Sequence, residues 1–366
     1  MNILRRLPLS RLLLVCGLVA ALGVSASAIA LAVGSGPTPP AKPLRKAVHD
    51  ALAAAPVEGV SASVKLSDHL LEGASLASGG GEAGQLSESP LLSGASGRLW
   101  IAKDGRARLE LQAEKGDTQV LYDGKTVTMY DASSNTLYRY KLPADEAGTS
   151  TSTHSHQHEV PSVAKIEEGI SKLSRHANVS GATPTDVAGQ AAYTTRISPK
   201  EGGSLIGGAE LSWDAVHGVP LRLALYSSTS SSPVIELAAT EISYGPVADS
   251  VFDYAPPANA KIEEVTLPDK AHAEHQGGSS AQHGKPNVTT RGHGISGVAV
   301  LEGKTKPGEK PLKLPEGLPK VQIDGTTATE LPTALGTLLS FERSGVRYLL
   351  LGAVNPAAIE AVARGL

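Results

Sequence analysis

The chain has 366 residues, of which 33 are basic and 36 acidic, and its formal net charge is −3. Charges so nearly balanced and so well mixed leave no basic stripe for a nucleic acid, and that function class is set aside. The single cysteine, Cys16, excludes a disulfide framework and a thiolate metal site.

In chain order, Arg5, Arg6 and Arg11 precede residues 12–33, a run of 22 residues without a charge. A helix needs about 20 apolar residues to cross a bilayer core. Arginines before the run and almost none just after it direct the remainder out of the cytoplasm. Residues 1–33 are therefore predicted to be a signal anchor, a single N-terminal transmembrane helix in the cell membrane with the bulk extracytoplasmic. The alternative is a signal peptide with Ala26-Ser27-Ala28 as its small-x-small site, giving a secreted protein cleaved near Ala28. Val15 stands where a lipobox needs a small residue, so Cys16 reads as part of the apolar run.

Residues 34–43 carry Gly34, Gly36, Pro37, Pro39, Pro40 and Pro43 and read as a stiff spacer. Leu44, Val48, Ala51, Leu52 and Ala55 fall at helical spacing, which predicts a helix over 43–55 ended by Pro56. Val60, Ala62, Val64 and Leu66 alternate with polar residues as in a half-buried strand. Residues 71–97 read as a long Gly/Ser/Ala-rich loop. Between 97 and 142 alternation and turn residues predict a five-stranded antiparallel meander. Its strands are 98–103, 106–112, 118–122, 126–130 and 136–142, with two-residue hairpin turns at Asp104-Gly105 and Asp123-Gly124.

A polar loop, 143–160, contains His154, His156 and His158. A helix follows with Ser162 as N-cap and Val163, Ile166, Ile170 and Leu173 as its apolar stripe. Strands are predicted at 179–187, 191–198, 205–214, 219–227 and 234–245, with turns at Gly189, Gly202-Gly203 and His217-Gly218. Residues 251–254 lead to Pro256-Pro257, and the domain closes near 266. Residues 267–294, rich in His and Gly, read as a linker. The remainder, 295–366, reads as a small α+β domain. Its strands are 295–301 and 321–323, followed by a hairpin around Ser344-Gly345 and a helix capped by Asn355 with Pro356 at its first position.

The order of motifs carries a resemblance. Gly97-Arg-Leu-Trp-Ile-Ala, Asp104-Gly-Arg and Arg108-Leu-Glu come first, then Tyr122-Asp-Gly-Lys, Met129-Tyr-Asp and Asn135-Thr-Leu-Tyr-Arg. Val187-Ala-Gly-Gln-Ala-Ala-Tyr193, Trp213-Asp-Ala, Gly218-Val-Pro-Leu-Arg222, Ser250-Val-Phe252 and Pro256-Pro257 follow. Over 43–266 this resembles the LolA/LolB lipoprotein-carrier superfamily, in particular its actinobacterial members. Leu350-Leu-Leu-Gly-Ala-Val354 with the Asn355-capped helix is similar to the end of the RseB/MucB family.

The resemblance implies a mainly β (α+β) fold. It would be a curved antiparallel half-barrel of about ten to eleven strands wrapped over helices, plus the small C-terminal domain. It also implies an apolar cavity that holds lipid or lipoprotein acyl chains, with Trp100, Leu109, Leu111, Val120, Tyr122, Trp213, Leu221, Leu223 and Phe252 as candidate lining. Ordinary core is the competing reading for each of them. The implied role is a non-enzymatic extracytoplasmic carrier. The alternative is an RseB/MucB-like regulator that binds an anti-sigma factor and senses lipid.

His154, His156 and His158 would share one side of an extended chain and could hold a metal or respond to pH. Solvated loop composition is the favoured reading, because no second shell is evident. No Gly-x-Ser-x-Gly elbow, His-Glu-x-x-His helix or phosphate loop is present, Gly79-Gly80-Gly81 opens no helix after a strand, and Glu167-Glu168 read as solvated. No catalytic residue and no cofactor is therefore assigned.

Overall fold

The computed structural model describes residues 36–71, 94–113, 116–141, 160–265, 287–304 and 317–366. They form two compact units. Of the described residues, one holds those up to Leu70, those from Gly94 to Gly202 and Ile206–Glu263; the other holds Leu71, Gly203–Leu205 and those from Glu264 to Leu366.

The first unit begins with helix α1, Leu44–Ala53. It buries Ala47, Val48, Ala51 and Leu52; of the stripe read from the sequence, Leu44 is half-buried and Ala55, past the end of the helix, is exposed. No side chain caps it. The Pro43 carbonyl accepts from the Lys46 and Ala47 amides instead, at 2.9 and 3.0 Å. Strand β1, Gly59–Asp68, follows. The meander is β2 Ala95–Ala102, β3 Ala107–Ala113, β4 Gly116–Tyr122, β5 Thr126–Asp131 and β6 Thr136–Lys141. Helix α2, Val163–Leu173, is capped by Ser162, whose hydroxyl accepts from the Lys165 amide at 3.3 Å. Then come β7 Ala177–Val179, β8 Thr183–Val187, β9 Gln190–Pro199, β10 Ile206–Asp214, β11 Pro220–Ser227, β12 Pro233–Tyr244 and β13 Lys261–Val265.

These strands make one 13-stranded sheet in the order β13-β6-β5-β4-β3-β2-β1-β12-β11-β10-β9-β7, with β8 also on β9. Strand β1 pairs antiparallel with β2 on one side and β12 on the other, and so joins the run β2–β6 to the run β9–β12; β13, which follows β12 in the chain, adds a second link at the β6 edge. A bulge at Ser63/Val64 shifts the β1–β12 register. The half-barrel expectation is corrected here. The first and last strands of the order do not pair, the sheet ends in open edges, and it is neither curled nor closed into a barrel. Alternation along a strand specifies which face is buried; it carries no information on shear or closure.

The second unit holds β14 Asn287–Arg291, β15 Val298–Lys304, β16 Lys320–Ile323, β17 Thr326–Pro332, β18 Thr337–Arg343, β19 Val346–Gly352 and helix α3, Pro356–Arg364. Its six strands pair in the order β14-β15-β19-β18-β17-β16. Val300, Leu339, Leu350 and Ile359 are fully buried in its own core. Asn355 caps α3 by accepting from the Ala358 amide at 2.9 Å, with Pro356 at the start of the helix. Strands β13, β14 and β17 fall where the sequence shows little or no apolar alternation and are absent from the sequence-based prediction.

Turn chemistry also differs from expectation. At Asp104-Gly105 the hairpin closes through Ala102 N to Arg106 O at 2.8 Å and Gly105 N to Ala102 O at 3.0 Å. That is a three-residue turn with only Gly105 at positive φ, +92°. The two-residue turns with both residues at positive φ are Ala188-Gly189, Asp324-Gly325 and Ser344-Gly345.

The N-terminal span predicted for 12–33 lies outside the described residues. Among the described residues no helix is long and apolar enough to cross a membrane. Their α-helices have 10, 11 and 9 residues, against about 20 needed. The expectations of a transmembrane helix, of membrane partnership through it and of a single-span location in the cell membrane rest on that span alone, find no support among the described residues and are not carried forward.

Packing and burial generate two tests. A Cβ at Gly97 would lie 1.7 Å from the Glu110 carbonyl oxygen of the neighbouring strand, whereas one at Gly303 meets nothing within 4 Å. Gly97→Ala is expected to cost about 1–3 kcal/mol and Gly303→Ala less than about 0.5 kcal/mol, measured by urea unfolding. In the second unit Glu330 is 5% exposed, and its Oε1 has no hydrogen-bond partner. Burial, with Glu360 adding to it, pushes its carboxyl above the usual 4.5. Stability from such a group is present below its unfolded value and lost as pH rises through the folded one. Glu330→Gln is therefore expected to flatten the decline of stability between mildly acidic and neutral pH, read from thermal melts across that range.

Candidate apolar cavity

Directly paired residues share a sheet face. The register therefore places Val60, Ala62, Val64, Leu99, Leu109, Val120, Leu211, Leu223 and Leu237 on one face of the first sheet. Helix α1 lies against the β9–β10 end of that face, with Ala47, Val48, Ala51 and Leu52 in one cluster with Tyr193, Leu211 and Trp213. Beyond the C-terminal end of α1 the face stays open as a cavity of about 570 Å³. Its lining includes Ala51, Ala54, Ala55, Pro56 and Val57 on the helix side. Val60, Ala62, Val64, Leu99, Ile101, Leu211, Val219, Leu221, Leu223, Leu237, Ala239 and Ile242 line the sheet side.

The cavity owes its existence to small side chains. Ala51, Ala54, Ala55, Gly59, Ala62 and Ala239 stand where larger residues would fill the space between helix and sheet. Its walls are predominantly hydrocarbon, the surface that takes up an apolar ligand by removing it from water. Of the polar members, Lys103, Asp104 and His217 sit at one end of the strands, and Arg222, between Leu221 and Leu223, turns its side chain to Glu210 and Glu236 on the other face.

That end is organised by Asp214. Its carboxylate accepts from the Val216 and His217 amides, both at 2.7 Å, and from the Tyr244 hydroxyl at 2.7 Å. Burial pushes the Asp214 carboxyl up, but these hydrogen bonds outweigh burial and hold it below the usual range. Burial and the adjacent carboxylate together push the Tyr244 hydroxyl up. The His217 ring stacks on Tyr244 with centroids 4.0 Å apart. Gly218, at φ +66°, lets this turn approach α1: a Cβ there would be 2.2 Å from the Ala51 carbonyl oxygen.

The opposite face carries charge. Glu210 pairs with Arg196 at 2.9 Å and Arg222 at 2.8 Å, Arg222 also pairs with Glu236 at 2.7 Å, and the Tyr226 hydroxyl donates to Glu210 at 2.7 Å. Arg108 donates to the Val251 carbonyl at 2.7 Å, and Arg106 lies over the Phe252 ring at 4.8 Å.

Of the residues singled out from sequence, Leu221 and Leu223 line the cavity. Leu109 and Leu111 pack beside it with Val60, Ala62 and Val64. Val120 and Tyr122 share that face farther out on β4, where the Tyr122 hydroxyl donates to the Gly124 carbonyl at 3.1 Å. Trp213 is 1% exposed beneath α1, tilted against Tyr193. Trp100 alternates to the other face, in a shallow groove with Ser61, Ser63, Arg98 and Glu241. Phe252 is under Arg106. Sequence reasoning placed Ala55 on a helix stripe and His217 in a turn, and named neither them nor Ala54 and Ala239 as cavity lining. Alanines carry little periodic signal, and a cavity is recorded in what side chains lack.

His154, His156 and His158 lie outside the described residues, as do His272, His275 and His283. Among the described residues no group of three or more His, Cys, Asp or Glu could hold a metal ion. Glu167 and Glu168 are exposed and pair with Arg45 and Lys172.

A family model described as "Predicted periplasmic protein (DUF2092)" matches residues 80–162. No curated protein matches the chain. Among solved structures, the chain is similar to the Pseudomonas aeruginosa MucA/MucB complex at 14% identity, covering 87% of this chain and 95% of that one with a TM-score of 0.41. An uncharacterized conserved protein from Thermus thermophilus matches at 12% identity over 61% and 97%, TM-score 0.34. A LolA superfamily protein from Nitrosomonas europaea matches at 10% over 58% and 99%, TM-score 0.23.

The Glu210 cluster sets an acid limit on stability. Burial raises its carboxyl, and the hydrogen bonds from Arg222, Tyr226 and Arg196 more than reverse this, leaving it below its ordinary 4.5. Stability from such a group is full above that value and is lost as pH falls through the lower folded value. Glu210→Gln is expected to lower stability at pH 7 by about 2 kcal/mol or more and to flatten the loss between pH 5 and 3, measured by denaturant unfolding at each pH.

Proposed function

We propose that this chain is an extracytoplasmic, non-enzymatic regulator of the RseB/MucB kind. It would grip a segment of an anti-sigma factor and respond to an acyl chain in its apolar cavity. The observation that carries this reading is the second unit. A six-stranded sheet and a capped helix with a core of their own follow the LolA-like sheet, and this addition is what separates the RseB/MucB pattern from the single-domain carriers that the first half of the chain resembles. The export signal in residues 1–33 and the periplasmic description of the matching family model support the location. The form proposed is the one released by cleavage near Ala28. One MucB structure is of a complex with MucA(peri), which makes a periplasmic segment of an anti-sigma factor the first partner to test.

The carrier reading rests on the cavity alone. Each methylene of a ligand buried there contributes about 0.8 kcal/mol, which favours occupancy by an acyl chain under either reading. The two separate on the partner. In-cell photo-crosslinking of the full chain, with mass spectrometry of the adducts, is expected to recover a single-span protein with a cytoplasmic sigma-binding domain. Recovery of lipoproteins in its place would sink the regulator reading. The cavity has its own test. Ala239→Phe is expected to reduce binding of the uncharged dye N-phenyl-1-naphthylamine about tenfold or more, by filling space the ligand needs. Unchanged dye affinity would show that the ligand lies elsewhere.

A further inference from the structure

The cavity has a chemical polarity that the acyl-chain reading does not use. Strand β1 begins at Gly59 and Val60, opposite Ala102 and Tyr244, and runs towards Leu66, opposite Leu237. Lys103, Asp104 and His217 belong to the first end; Leu223 and Leu237 lie towards the other. A bound chain therefore has one orientation that meets polar groups at one end only.

The charges at that end are largely matched already. Lys103 pairs with Glu58 at 2.6 Å, and Asp104 pairs with Arg106 at 2.7 Å, which also reaches Asp249 at 2.5 Å. Asp214 differs. Its partners are two amides, the Tyr244 hydroxyl and the His217 ring, and it remains ionised. His217 Nδ1 is buried and 3.3 Å from Asp214 Oδ1, outside the angle of a formed hydrogen bond. A carboxylate at that distance favours the proton on Nδ1, and in a neutral imidazole the other nitrogen, Nε2, is then an acceptor. The side chain is 36% exposed and lines the cavity, so with Nδ1 buried its accessible part is the rest of the ring.

We propose that His217 is the head-group contact of the cavity, and that the ligand is a single-chain amphiphile with an uncharged, hydroxyl-bearing head, such as a long-chain alcohol or a monoacylglycerol. The hydroxyl donates to His217 Nε2 while the chain runs along β1 towards Leu237. The Asp214 carboxylate disfavours an anionic head. Tyr244 and Gly218 act as positioning residues: one stacks on the imidazole and holds Asp214, the other lets the turn seat against α1. The assignment rests on the cavity reading above, and its test separates the two.

The test is displacement of N-phenyl-1-naphthylamine from the full chain by 1-dodecanol, dodecyl methyl ether and dodecanoate. The alcohol is expected to displace the dye at about tenfold lower concentration than the ether, which lacks the donor. Dodecanoate is expected to be weaker than the alcohol. His217→Phe keeps a ring to stack on Tyr244 and loses both nitrogens. A thermal melt like that of the unaltered protein reports that it is folded, and, whatever its own dye affinity, it should bring alcohol and ether to within about twofold of each other. His217→Gln, which restores an acceptor, should recover part of the difference. Equal displacement by alcohol and ether in the unaltered protein, a difference that survives His217→Phe, or dodecanoate as the tightest competitor would each overturn the head-group assignment while leaving the cavity standing. Failure of the dye to bind at all would overturn the cavity reading itself, and the assignment with it.

Discussion

Strand β1 is hydrogen-bonded along both of its edges, to β2 on one side and to β12 on the other. Each of its neighbours heads a run of strands that could pair locally without it: β2–β6 through tight turns, and β9–β12 likewise. Long-range pairing carries a loop-closure cost that local pairing does not. What offsets it is burial of Val60, Ala62 and Val64 against Leu111, Val219 and the surrounding apolar face. Thus one ten-residue strand converts two meanders into a single sheet, and it does so with side chains that are mostly small.

That smallness has a consequence for function. A face built with larger residues at Ala62, Ala239 and the end of α1 would have packed the helix down and left ordinary core, as happens a few residues away around Trp213, Tyr193 and Leu211. Here two regimes share one sheet face. Under α1 the packing is closed and the aromatic residues are almost fully buried. Past Leu52 the helix ends, the chain turns at Pro56, and space of about 570 Å³ remains. Unfilled apolar space costs stability through lost dispersion contacts, which is the ground for the binding role proposed above.

The reverse face is organised by different forces. Arg196, Glu210, Arg222, Glu236 and Tyr226 link β9 to β12 through charge-assisted hydrogen bonds, each side chain largely shielded by the others. Because Arg196 sits directly opposite Glu210, and Arg222 diagonally from Glu210 and Glu236, a register slip would strip each carboxylate of its guanidinium partner. The apolar face alone discriminates slips by one residue; the ionic ladder also discriminates slips by two. The same strands that present hydrocarbon to the cavity are thereby held in register from behind.

The amino-acid sequence by itself determined the elements whose causes are local. The apolar stripe of α1, the hydroxyl cap at Ser162, the Asn355-Pro356 start of α3 and the alternation of β2 to β6 each depend on residues within one turn or one strand, and each is present. What the tertiary structure decided depends on groups far apart in the chain. The pairing of β1 with β12, the open edges in place of a half-barrel, and the edge strands β13 and β14 require partners that no local period names. The turn at Asp104-Gly105 became three residues long because strand twist and register, and not the dipeptide alone, select the closing hydrogen bond. The candidate site divides in the same way. Leu221 and Leu223 were legible as apolar positions of a strand, whereas His217 read only as a turn residue. Its significance comes from Asp214, Tyr244 and the cavity wall, brought together by the β10–β11 turn, the end of β12 and the end of α1. A sequence records which side chains are present; a cavity and the orientation of one imidazole beside it are properties of the space between them.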